Sequence, residues 1–192
     1  MKPALPPILL DFPDTLETER LILRAPRPGD GQAVFEAVAE TLDDQRRWPA
    51  SLPWALAEPA PAASEAFCRQ GAAAWFARTD LPMLVFLKEG NAFVGGSGLH
   101  RLDWKVPKCE VGYWVRKSMQ GRGLATEAVM AVTEFALSAL GARRVEILSD
   151  AKNIASRRVA ERAGYGLEGI QRNERIAPDG QLRDTCIYAV TK

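Results

Sequence analysis

The run Gln120-Gly121-Arg122-Gly123-Leu124-Ala125 carries the clearest chemistry in this 192-residue chain. Before it, Val111, Tyr113 and Val115 alternate with Glu110, Gly112 and Trp114 as a strand requires. After it, from Thr126, the residues Val129, Val132, Ala136 and Leu140 recur at helical spacing until Gly141. A strand that passes through a glycine turn into a helix start makes an anion site. Successive backbone N–H groups from Gln120 to Ala125 have no helical partner there, and Gly121 and Gly123 let a pyrophosphate approach with no Cβ in the way. Lys117 and Arg122 bring positive charge to the same turn. Two glycines at this spacing also make an ordinary turn. The familiar phosphate motifs are absent: no G-x-x-x-x-G-K-[ST] occurs, and a dinucleotide G-x-G-x-x-G needs Gly or Ala where Thr126 stands.

Composition narrows the chemistry further. Lys and Arg total 25 against 24 Asp and Glu, a net charge of +1, so the chain has no bulk hold on nucleic acid or an anionic membrane and any anion is bound locally. His100 is the only histidine, which excludes two-histidine metal sites, and no G-x-S-x-G elbow accompanies it for a serine hydrolase. Cys68, Cys109 and Cys186 are scattered with no C-x-x-C, so neither a disulfide framework nor a thiolate metal site is expected. Apolar runs such as Met83 to Leu87 fall far short of the roughly 18 residues that cross a bilayer, and the start lacks a signal peptide's pattern. The expectation is a cytoplasmic protein with no metal, nucleic-acid or membrane partner.

The elements that position the turn follow from periodicity and punctuation. Residues 1–15, with four prolines up to Pro13, read as an arm, and residues 16–192 as one domain. Leu21 to Arg24 is a short strand, followed by a helix over Gln32 to Glu40 and an irregular stretch from Trp48 to Pro61. A helix over Ser64 to Ala77 precedes a hairpin of Met83 to Lys88 and Ala92 to Leu99. Beyond the glycine turn and its helix come a strand around Val145 and Ile147, a short helix over Asn153 to Ala163, and strands near Leu167 to Ile176 and Thr185 to Val190. The class is mixed α/β.

Here Gln120 to Ala125 resembles the Q/R-x-x-G-x-G/A acetyl-CoA signature of the GNAT N-acetyltransferases. Asn153 with Ser156, then Ala163-Gly164-Tyr165 and Leu167-Glu168-Gly169, resemble marks of the ribosomal-protein N-terminal acetyltransferase (RimJ/RimL-type) branch, and the likeness spans about Leu16 to Val190. It implies a central mixed, mostly antiparallel sheet of six to seven strands with a splayed parallel pair, flanked by about four helices. Acetyl-CoA is the implied co-substrate. Trp114 and Val115 lie where the family aligns pantetheine, while Lys117, Gln120, Gly121, Arg122, Gly123, Leu124, Ala125 and Thr126 surround the phosphates. Asn153 stands where the family hydrogen-bonds the cofactor, and it serves equally as a helix N-cap. Lys152, Arg157 and Arg158 are candidates for the 3′-phosphate or a solvated face.

Amide formation needs a neutral amine, a polarised thioester and a place for thiolate charge. Glu110 is the candidate base, or an outward-facing strand carboxylate. Many family members carry a tyrosine acid where this chain has Ala160; Ser156 is the candidate substitute, or a first-turn helix hydroxyl. His100 and Glu174 are secondary candidates. Trp48, Trp54 and the prolines between them are a candidate apolar lid over the acceptor and Trp104 a candidate wall, or each is a hydrophobic plug under a long loop; arginine and acidic residues near Asp103 or Asp184 are candidates to recognise the acceptor's charge, with no direction fixed. The expected acceptor is a protein or peptide α-amine. A small-molecule amine is the alternative within the enzyme class, and a noncatalytic acyl-CoA-binding module the alternative outside it; a monomer and a homodimer are both compatible.

Overall fold

The computed structural model describes residues 5–48 and 52–192. Among these residues eight strands form one sheet: β1 (Thr15–Glu17), β2 (Leu21–Arg24), β3 (Leu81–Leu87), β4 (Phe93–Asp103), β5 (Lys108–Val115), β6 (Arg144–Asp150), β7 (Gly166–Ile176) and β8 (Leu182–Thr191). Their spatial order is β1-β2-β3-β4-β5-β6-β8-β7, and every neighbour pair is antiparallel except β5 and β6. The eighth strand, one more than the periodicity gives, is Thr15–Glu17, which pairs with β2. Three residues are too short to show alternation.

Helices α1 (Gly31–Gln45) and α2 (Pro61–Ala77) lie against one face, and α3 (Leu124–Ser138) and α4 (Ile154–Arg162) against the other. Strand β3 shows why both faces are covered. Its Met83 and Val85 join the core under α3 while Leu84 and Phe86 join the core under α1, so an unbroken apolar run is buried on both sides. Helix α3 begins at Leu124, two residues earlier than the spacing predicts, because Gly123 at φ 77° already turns the chain into it. Within the arm, Pro7–Leu9 forms one 3-10 turn, and Phe12 packs edge-on against Trp75 and Phe135 with the Arg78 guanidinium 4.0 Å above its ring. The first four residues, Pro3 of the arm among them, lie outside the described residues.

Candidate active site

Strands β5 and β6 pair at only three positions, Lys108 with Arg144, Cys109 with Val145 and Glu110 with Glu146. Past Glu110 they part. β5 remains bonded to β4 as far as Val115, and β6 to β8 as far as Asp150, but the edges facing each other have no strand partner among the described residues. The separation opens a cleft of about 670 Å³. Of the predicted site residues, Glu110, Trp114, Val115, Gln120, Gly121, Gly123, Leu124, Ala125, Thr126, Asn153 and Ser156 line it. Lys117 and Arg122 do not. The Arg122 side chain donates to the Met119 sulfur at 2.9 Å, and Lys117 is exposed beside the loop.

At the glycine-turn end, six consecutive backbone N–H groups, Gly121 through Thr126, donate to no protein acceptor among the described residues. Gly121 and Gly123 both take left-handed backbone, at φ 74° and 77°. No side chain among the described residues caps α3. Glu127 in its first turn could compete for these amides, but its carboxylate is drawn away by Thr18 Oγ1 at 2.5 Å and by Arg20 Nε at 2.7 Å. The loop is held from outside: Gln120 Nε2 donates to the Val115 carbonyl at 3.2 Å, and Lys117 N donates to Thr41 Oγ1 at 3.0 Å. Arg158 and Arg162, one turn apart on α4, face the cleft. Arg157 does not, because its guanidinium donates inward to Tyr188 Oη at 3.0 Å and to the Ala151 carbonyl at 3.1 Å. Lys152 is also off the cleft wall.

Glu40 fastens α1 to the start of this loop, accepting from the Arg116 guanidinium and from Ser118 N at 2.6 Å. The Arg116 hydrogen bond, aided by Ser118 against the opposing effect of burial, holds its carboxyl at about 2, below the ordinary 4.5. A folded-state pKa below the unfolded one contributes stability that is complete above about 4.5 and disappears as pH falls through 2. Glu40→Gln is therefore expected to cost about 1 to 2 kcal/mol at pH 7, the side chain being part-exposed, and almost nothing near pH 2. Urea midpoints of both proteins across that range measure the difference. A pH-independent gap would assign the loss to packing.

The two faces of β5 carry different groups. Glu110, on the face of α1 and α2, is paired with Arg101, which sits at φ 50° in a bulge where Arg101 and Leu102 oppose Cys109 alone. The bulge re-aims the arginine onto the carboxylate. On the face of α3 and α4, the Tyr113 hydroxyl lies 2.8 Å from the Ser156 carbonyl and 2.9 Å from Ser156 Oγ. Asn153 Oδ1 accepts from Ser156 N at 3.1 Å, so Asn153 is an N-cap, and its Nδ2 has no protein partner among the described residues. Burial pushes the Tyr113 phenol up to about 12, despite its hydrogen bond to Ser156. Ala160, one turn beyond Ser156, is fully buried and brings no hydroxyl.

At the opposite end, Trp48 and Leu52 line the cleft with Arg101 and Arg175. Trp48 lies under the Arg183 guanidinium at 5.8 Å, and Arg183 Nε donates to buried Asp150 at 2.7 Å. Pro49, with Ala50 and Ser51, lies outside the described residues. Trp54 packs on Trp114 at 6.1 Å instead of lining the cleft. Trp104 is a plug, donating to the Arg78 carbonyl at 3.1 Å. The secondary candidates are likewise occupied elsewhere: His100 Nδ1 pairs with Asp80 at 2.8 Å, and Glu174 accepts from Thr185 Oγ1 at 2.7 Å. Asp103 accepts two amides of its own turn, and Asp184 accepts from Asn173 N at 2.8 Å in the β7 bulge. Tyr113 and Arg101 join the site without a signal in the sequence, whereas the spacing of Arg158 and Arg162 on one helix face is a signal that could have found the second arginine.

Residues 20–166 match the family model described as the acetyltransferase (GNAT) domain. The N-acetyltransferase YoaA of Bacillus subtilis is 27% identical over 177 residues, covering 92% of this chain and 96% of that protein. The ribosomal-protein-serine acetyltransferase of Escherichia coli is 29% identical over 107 residues, 56% of this chain and 59% of its own length. Among solved structures, the ribosomal L7/L12 α-N-protein acetyltransferase RimL in complex with coenzyme A superposes with a TM-score of 0.82 at 21% identity, over 92% of this chain and 97% of the other. With more than two thirds of its length inside the family match, and with the splayed sheet and cleft described above, the chain belongs to the GNAT acetyltransferases.

Proposed function

We propose that the chain transfers acetyl from acetyl-CoA to the α-amine of a protein or peptide. The run of six unpartnered amides from Gly121 to Thr126, at the mouth of an open cleft, carries this reading. Those amides suit a pyrophosphate, Arg158 and Arg162 suit the remaining phosphate charge, and the gap between β5 and β6 suits an extended pantetheine. Asn153 Nδ2 is free to donate to the arm. Relatives named for ribosomal-protein acetylation support the acceptor class.

In this reading the gap divides the labour between the faces of the sheet. The acceptor enters between Trp48 and Glu110, and Glu110 takes the proton of the incoming ammonium through water. The amine nitrogen attacks the thioester carbon, the C–S bond breaks on collapse, the thiolate leaves on the side where Ser156 offers a hydrogen bond, and the second nitrogen proton passes to cleft water. The demands are modest. Deprotonating an α-amine of pKa about 7.7 to 8.0 at pH 7 costs about 1 to 1.4 kcal/mol, against about 4.6 for a lysine side chain near 10.4. A thiol near 8.5 is already a fair leaving group, so a hydrogen bond suffices.

The test is CoA-thiol release from acetyl-CoA across peptides with free N-termini, lysine-bearing peptides blocked at the N-terminus, and small amines. Release with free N-termini alone is expected. Preference for small amines would replace the acceptor class, and tight CoA binding with no release under any acceptor would make the chain a binding module. With the best acceptor, Glu110→Gln is expected to lower kcat about tenfold or more and to leave a pH profile governed by the amine alone; an unchanged rate and profile would remove Glu110 from the mechanism.

A further inference from the structure

We infer that Tyr113 is a positioning residue for leaving-group departure: its phenol holds Ser156 so that the serine proton is turned toward the sulfur of the departing thiolate. The inference rests on the proposed role of Ser156 and goes beyond it, because it assigns the aim of that hydroxyl to a second side chain from a different element.

The geometry leaves little freedom. All three polar atoms of Ser156 are engaged, its N–H by Asn153 Oδ1 at 3.1 Å, its carbonyl and Oγ by the one Tyr113 hydroxyl at 2.8 and 2.9 Å. The phenol has a single proton and two acceptors within reach. When that proton goes to the carbonyl, which can only accept, the Ser156 hydroxyl must point its own proton at the phenolic oxygen. When the phenol turns its proton onto Oγ, the serine proton is released for the cleft. Rotation about two C–O bonds separates the arrangements, and no heavy atom moves. In the second, phenol, serine and sulfur form a chain in which each hydrogen bond strengthens the next.

Location and burial make the second arrangement useful. Tyr113 stands on the part of β5 past its last pairing with β6, and both Tyr113 and Ser156 line the cleft. Burial keeps the phenol near 12, well above a thiol at about 8.5, so at working pH it retains its proton and acts as a donor, never as the proton source. No bond to hydrogen is broken at Tyr113.

The test is a double-mutant cycle of Tyr113→Phe, Ser156→Ala and the pair, assayed with acetyl-CoA and a peptide acceptor and normalised to CoA-binding sites. Tyr113→Phe keeps the ring that fills the gap. Its kcat is expected to fall about tenfold with KM for acetyl-CoA within about twofold, and the double variant is expected to be no slower than Ser156→Ala. Multiplying deficits would overturn the inference, as would a fall in CoA affinity that accounts for the lost rate. If Tyr113→Phe matches the parent while Ser156→Ala is slow, this inference fails alone. If Ser156→Ala itself matches the parent, the proposed role of the serine fails and this inference with it. A thermal melt accompanies each variant, and should Tyr113→Phe not fold, Tyr113→Trp, which keeps an aromatic plug without an oxygen at that place, runs the same cycle with the same expected outcomes.

Discussion

Replacing Gly123 with aspartate is expected to weaken CoA binding about 100-fold while the protein keeps its fold. Gly123 precedes α3 at φ 77°, and a Cβ built there meets only Arg20 Nη2, at 3.7 Å. A Cβ at this position therefore meets no clash. Left-handed backbone costs aspartate about 1 kcal/mol, and a carboxylate at a helix start returns part of that through the N-terminal amides and the helix dipole. The same two features oppose the ligand. The new charge would sit among the amides proposed for the pyrophosphate and repel it, and about 2.7 kcal/mol is the 100-fold loss. Titration calorimetry with CoA, beside a thermal melt, separates the effects. Unchanged affinity in a folded variant would mean that the phosphates bind elsewhere.

The second large effect belongs to stability. Asp150 is 4% exposed, and its carboxylate accepts from Arg183 Nε at 2.7 Å and from Lys152 N at 2.9 Å. Asp150→Ala leaves a largely buried guanidinium without its hydrogen-bonded carboxylate, with only the more distant Asp179 and Asp184 to offset it, for an expected loss of about 3 kcal/mol, or about 6 to 12 °C in melting temperature for a chain of this size. Trp48 lies against the same guanidinium. Acceptor KM should therefore rise along with the loss of stability, while CoA affinity holds. Removing both charges, as Asp150→Ala with Arg183→Met, is expected to cost less than removing the carboxylate alone. A double variant at least as unstable as the single one would show that the carboxylate's other contact, not the stranded charge, sets the loss.

How much of this was legible beforehand depended on whether the controlling force was local. The β5-turn-α3 unit was, because alternation, two glycines and a 3.6-residue stripe meet within thirty residues. Asn153 as a cap was also legible, since N-capping is a matter of three neighbouring residues. The direction of charge was not. Arg157 and Arg158 are adjacent in sequence, yet one bonds Tyr188 in the core and the other faces the cleft, and only the neighbour each meets decides. Arg101 owes its contact with Glu110 to a strand bulge that carries no glycine or proline to announce it. Tyr113 reads as one apolar-face residue among three; its partnership with Ser156 spans 43 positions of chain.

The three rungs joining β5 to β6 have a mechanical meaning as well. A sheet normally confines its unsatisfied backbone to the two outermost strands, and here a second pair of such borders lies in the interior, between a five-stranded and a three-stranded panel. A ligand threaded along that seam would complete the lattice as an added strand does, so occupancy and stiffness would rise together, and its release would loosen the two panels.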